Sequence, residues 1–71
     1  MKYNSIKNLV GDNVRALRLQ KGISQTQLGN LVDMKLVGIS QIECGKKFIS
    51  EKTLIKLCSA LDCKVKDIFN F

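Results

Sequence analysis

The groups in this chain that could do chemistry are overwhelmingly cationic. Twelve lysines and arginines stand against six aspartates and glutamates, leaving a formal charge of +6 on 71 residues. An excess of that size on so short a chain suits a polyanionic partner, nucleic acid before any other. Nothing comparable points to catalysis. Histidine, the commonest general base, is absent, and no spacing of Ser, Asp and Lys or of paired carboxylates takes its place. The cysteines, Cys44, Cys58 and Cys63, are odd in number, form no CxxC and have no histidine to join them. They make neither a disulfide framework nor a zinc site, and read as small apolar packing residues. The chain is therefore not expected to be an enzyme, and no cofactor or metal is expected.

Residues of this kind need a scaffold. A 45% apolar and 25% charged composition lies in the ordinary globular range, far from the profile of a disordered segment. At this length the core is too small to divide, so a single domain over residues 1–71 is expected. The opening MKYNSIKNLVGDNV lacks the apolar region of a signal peptide, and no stretch approaches the roughly 18 apolar residues that span a bilayer. A cytoplasmic protein with no membrane partner is the expectation.

The apolar spacing is helical throughout. Ile6, Val10, Val14 and Leu17 recur at three and four residues, with Asn4 or Ser5 as cap and Gly22 as stop, which predicts a first helix over about residues 5–20. Ser24 followed by Gln27 is a capping box opening a second helix, with Leu28 and Val32 on its inner face. Beyond Asp33 and Met34, Ile39 and Ile42 define a third helix over about 35–44, ended by Gly45. Ser50 caps a fourth carrying Leu54, Leu57, Cys58 and Leu61, and a last short turn holds Val65, Ile68 and Phe69. The result is an all-α domain of five short helices. Helices two and three, separated by a turn of a few residues, make a helix-turn-helix that turns the start of helix three outward. Gly29 fits, because glycine costs about 1 kcal/mol inside a helix and its use implies close approach of the next element.

Over residues 18–69 the chain resembles the Cro/C1-type (XRE) helix-turn-helix family. The matching residues are Arg18, Gly22-Ile23-Ser24-Gln25, Leu28, Ile39-Ser40-Gln41-Ile42-Glu43, Gly45-Lys46-Lys47, Thr53-Leu54, Leu57, Ala60-Leu61 and Ile68-Phe69. The resemblance implies a compact lambda-repressor-like DNA-binding fold in which helix three enters the major groove. It implies that Gln25, Lys46 and Lys47 contact backbone phosphates, and that Arg18 and Glu43 form an internal, structural ion pair.

The departures fall on the presumed reading surface. Positions that usually carry polar side chains hold Lys35, Leu36, Val37 and Gly38, so direct readout rests on Lys35, Ser40 and Gln41. Leu36 and Val37 either pack on thymine methyls or face a protein partner, or have no special role. Asp33 replaces the usual turn glycine, which a residue tolerant of the left-handed region can do. Phe48 and Ile49 stand where the family has a polar loop and a proline, and either cover the core edge or meet a second subunit. The implied function is a transcriptional regulator, a repressor in preference to an activator, binding a pseudo-palindromic duplex DNA operator as a homodimer. Phe69 and Phe71 are the expected dimer contact. Family analogy points to phage-type, mobile-element or restriction-system controllers. The alternative is an interaction module, such as an antitoxin-like subunit that holds a partner protein.

Overall fold

The computed structural model describes residues 5–71, and among them the chain forms five helices and no strand: α1 (Ile6–Lys21), α2 (Gln25–Leu31), α3 (Leu36–Glu43), α4 (Glu51–Leu61) and α5 (Val65–Ile68). The serines that precede α1, α2 and α4 are their caps. Ser5 Oγ accepts from the Asn8 amide at 3.3 Å, Ser24 Oγ from that of Gln27 at 3.0 Å and Ser50 Oγ from that of Thr53 at 3.2 Å, each meeting an amide that has no partner within its helix. Asn4, the other candidate cap of α1, lies outside the described residues. Gln27 returns its Oε1 to the Ser24 amide at 2.7 Å, completing the box.

The helix ends also follow the sequence. Gly22 (φ 75°) closes α1 and Gly45 (φ 81°) follows α3, both left-handed, and Asp33 takes φ 59° in the turn. Asp62, at φ 52°, ends α4 in the same way. There the Cys63 amide donates to the Cys58 carbonyl at 3.0 Å and the Asp62 amide to that of Ser59 at 3.3 Å, a doubly bonded cap in which Cys58 and Cys63 supply the accompanying apolar contact.

One core joins all five helices: Val10 and Val14 of α1, Leu28 and Val32 at α2, Ile39 and Ile42 of α3, Ile49 in the loop, Leu57 and Leu61 of α4 and Ile68 of α5. Leu17, Leu54, Cys58 and Phe69 pack against its margin. Ile6, expected on the inner stripe, and Val65, placed in the last short turn, are 57% and 49% exposed. Each is the first residue of its helix, and side chains lean toward the helix N-terminus, so these two project past the core's edge. Ile49 is buried in the core, while Phe48 remains 44% exposed.

α1 crosses the C-terminal end of α3 at Gly11, where a Cβ would overlap the Ile42 and Glu43 carbonyl oxygens. This contact fixes the far end of α3. The near end is fixed at Gly29, where a Cβ would overlap the Met34 carbonyl oxygen and the Met34 amide donates to the Gly29 carbonyl at 2.7 Å. The tightest approach at Gly29 is thus made by the turn, and the Ile39 side chain of α3 would lie 3.6 Å from a Cβ there.

Candidate nucleic-acid interface

α3 is buried on one side and bare on the other. Ile39 and Ile42 are 0% and 2% exposed, whereas Leu36 is 51% and Val37 61% exposed. Lys35 and Gln41 are exposed beside them, with Ser40 half-buried. The five candidate base-reading residues therefore lie on or flank one short helix rigidly backed by core. Lys35 sits at the N-cap position and gives α3 no side-chain cap. Gly38 is backed by Met34, whose Cε would lie 2.9 Å from a Cβ there.

Beyond α3 the loop folds back on the helix end. The amides of Lys46 and Lys47 both donate to the Gln41 carbonyl, at 2.9 and 3.1 Å, and that of Gly45 to the Ile42 carbonyl at 3.2 Å. The backbones of two exposed lysines are thereby anchored at the carbonyl end of α3, where the helix dipole favours positive charge.

Arg18 and Glu43 form the expected ion pair, and both residues are buried, at 7% exposure each. Arg18 Nε donates to Glu43 Oε2 at 2.7 Å, Nη2 to Oε1 at 3.1 Å, and Nη1 to the Ile23 carbonyl at 2.9 Å. The fork geometry satisfies three donors at once. Hydrogen bonding to Glu43 first, then its negative charge, raises the guanidinium pKa against the opposing pull of burial.

Gln25 is the unforeseen member of this cluster. It is half-buried at the start of α2, and its Nε2 donates to Glu43 Oε1 at 3.1 Å. Glu43 therefore ties α1, α2 and α3 together.

At the opposite end of the chain Phe69 is half-buried and Phe71 60% exposed. Phe69 lies edge-on to Phe48 with centroids 6.4 Å apart, and 6.4 Å from Phe71 at a tilt of 47°. Asn13 Nδ2 donates to the Ile68 carbonyl at 2.8 Å and to the Asn70 carbonyl at 3.1 Å. The aromatic tail is thus pinned to α1 by a residue that its sequence position did not single out.

The fold and the bare face of α3 define a helix-turn-helix module of the DNA-binding type. The helix-turn-helix family model matches residues 14–68, and the chain belongs to this XRE-type family of DNA-binding transcription regulators. It is 36% identical over 69 residues to the control protein C.BamHI of Bacillus amyloliquefaciens, covering 96% of this chain and 85% of that protein. Among solved structures it is similar to the restriction-modification controller C.AhdI of Aeromonas hydrophila (TM-score 0.85, 30% identity, 89% of this chain and 96% of that one). It is also similar to the P22 c2 repressor bound to a synthetic operator (TM-score 0.79, 32% identity, 83% and 89%). Among the described residues no helix is long and apolar enough to cross a membrane, and no group of three or more His, Cys, Asp or Glu could hold a metal.

Proposed function

We propose that this chain, acting as one domain over residues 1–71, is a cytoplasmic repressor without catalytic activity that binds a pseudo-palindromic duplex operator as a homodimer. The observation that carries the reading is the two-sided character of α3: a fully buried face of Ile39 and Ile42 opposite an exposed face of Leu36, Val37 and Gln41. In the major groove Lys35, Ser40 and Gln41 would bond base edges and Leu36 and Val37 would pack on thymine methyls, favouring A·T pairs. Gln25, Lys46 and Lys47 would bond phosphates, which sets register without reading sequence. Of the settings that the sequence resemblance allows, the likeness to C.BamHI and C.AhdI favours control of a restriction system.

Two recognition helices must stand about 34 Å apart to enter successive major grooves. The exposed aromatics Phe48 and Phe71, with Phe69 between them, form a patch that a second copy can meet isologously. The test is a titration of 15N-labelled protein with duplex DNA. Shift changes concentrated at Gln25, Lys35–Gln41 and Lys46–Lys47 support the reading. Changes centred on α4 and α5, with α3 unmoved, would move the DNA-binding face away from α3, and no shift changes at all would favour a module that holds a protein partner by Leu36 and Val37.

A further inference from the structure

We propose that Glu43 is a positioning residue for DNA binding: held by Arg18, it orders the Gln25 carboxamide for its phosphate contact. The inference rests on the proposed DNA interface and assigns to the buried ion pair a role beyond holding the fold.

The geometry fixes which end of the amide faces inward. A carboxylate accepts and cannot donate, so Gln25 must turn its Nε2 toward Glu43 Oε1, at 3.1 Å. One N–H is consumed there, and the second N–H, the donor a phosphate oxygen needs, is left for the half-exposed side of the residue. Glu43 itself has little freedom to move, because both its oxygens are engaged by Arg18, at 2.7 and 3.1 Å. A free glutamine would lose side-chain rotamer freedom on meeting DNA, and one already ordered avoids that loss, an effect of about threefold to tenfold in affinity.

Charge runs in the same direction. An uncompensated carboxylate this close to a phosphate-binding amide would repel the DNA backbone, and the Arg18 guanidinium cancels it in place. The pair thus lets a negative group serve as the anchor inside a surface that must attract anions.

A double-mutant cycle on random-sequence duplex tests this, using Gln25→Ala, Glu43→Leu and their combination, each verified as folded by circular dichroism at the measuring temperature; Leu leaves no acceptor for the Gln25 amide. Gln25→Ala should lower affinity about tenfold in the wild-type background, and threefold or less when Glu43 is already Leu. Equal factors in both backgrounds would overturn the positioning role. No effect of Gln25→Ala in the wild type, with Lys46→Ala still weakening binding, would show instead that Gln25 is not a DNA contact, which removes the premise and the proposal together. If Glu43→Leu does not fold, the wild-type protein alone decides. The Gln25 side-chain amide, assigned by difference from Gln25→Ala, should show one N–H proton slowed in exchange relative to the other exposed amides. Two rapidly exchanging protons would overturn the proposal.

Discussion

Replacing Arg18 with Ala should strongly destabilise the protein. The substitution removes three hydrogen bonds, two to Glu43 and one to the Ile23 carbonyl. It leaves behind a carboxylate whose side chain is 3% exposed, with Gln25 as its remaining side-chain partner. Stranding one member of a buried pair costs about 3–5 kcal/mol, because the remaining charge has lost both water and its counterion. A chain of 71 residues has in total roughly 4–11 kcal/mol of stability, taking about 0.05–0.15 kcal/mol per residue. The variant should then melt roughly 12–40 °C below wild type, at about 4–8 °C per kcal/mol. Thermal unfolding followed at 222 nm gives the answer directly. Replacing both residues, as in Arg18→Met with Glu43→Met, should recover most of the loss, since an apolar pair of similar volume carries no stranded charge. A melting temperature unchanged in Arg18→Ala, accompanied by lost DNA affinity, would refute the reasoning and make Arg18 a phosphate ligand.

Three further outcomes are expected. Lys46→Ala with Lys47→Ala should weaken binding to operator and random duplex alike, whereas Gln41→Ala should act on the operator by about 1–3 kcal/mol and little on random DNA, both read by fluorescence anisotropy. Phe71→Glu, or truncation after Ile68, should shift sedimentation toward monomer and lower operator affinity, and an unchanged sedimentation profile would remove Phe71 from the interface. Burial, and next to it the neighbouring Cys58, push the Cys63 thiol up from 9.0 to about 11. Its folded pKa is the higher one, so its contribution to stability is present below pH 9 and is lost as pH rises toward 11. Denaturation between those values should therefore show a wild-type loss that Cys63→Ala lacks, and exposed Cys44 should alkylate ahead of Cys63.

The architecture was legible because local signals agreed with one another. Ser24 with Gln27, Ser50, Gly22 and Gly45 each marked a helix end, and the spacing of Val10, Val14, Ile39, Ile42, Leu57 and Leu61 marked one inner face after another. What stayed hidden depends on how helices cross. Gly11 carried the same signal as Gly29, a glycine inside a helix at a cost of about 1 kcal/mol, yet only the assembled fold reveals that α3 lies against it. The bond from Gln25 to Glu43 joins residues 18 apart, and those from Asn13 to the Ile68 and Asn70 carbonyls join residues 55 and 57 apart, distances over which no periodicity speaks. Ile6 matched the apolar stripe of α1 but, as the first residue of that helix, is exposed at the core's edge.

Salt dependence of binding to random duplex DNA tests the central claim most directly, because it needs no knowledge of the operator. If Gln25, Lys46 and Lys47 of two subunits engage about six phosphates, log affinity should fall against log salt with a slope of roughly −5. No detectable binding at about 50 mM salt, by protein shown to be folded, would contradict the DNA-binding account and leave Leu36 and Val37 as a surface for a protein partner.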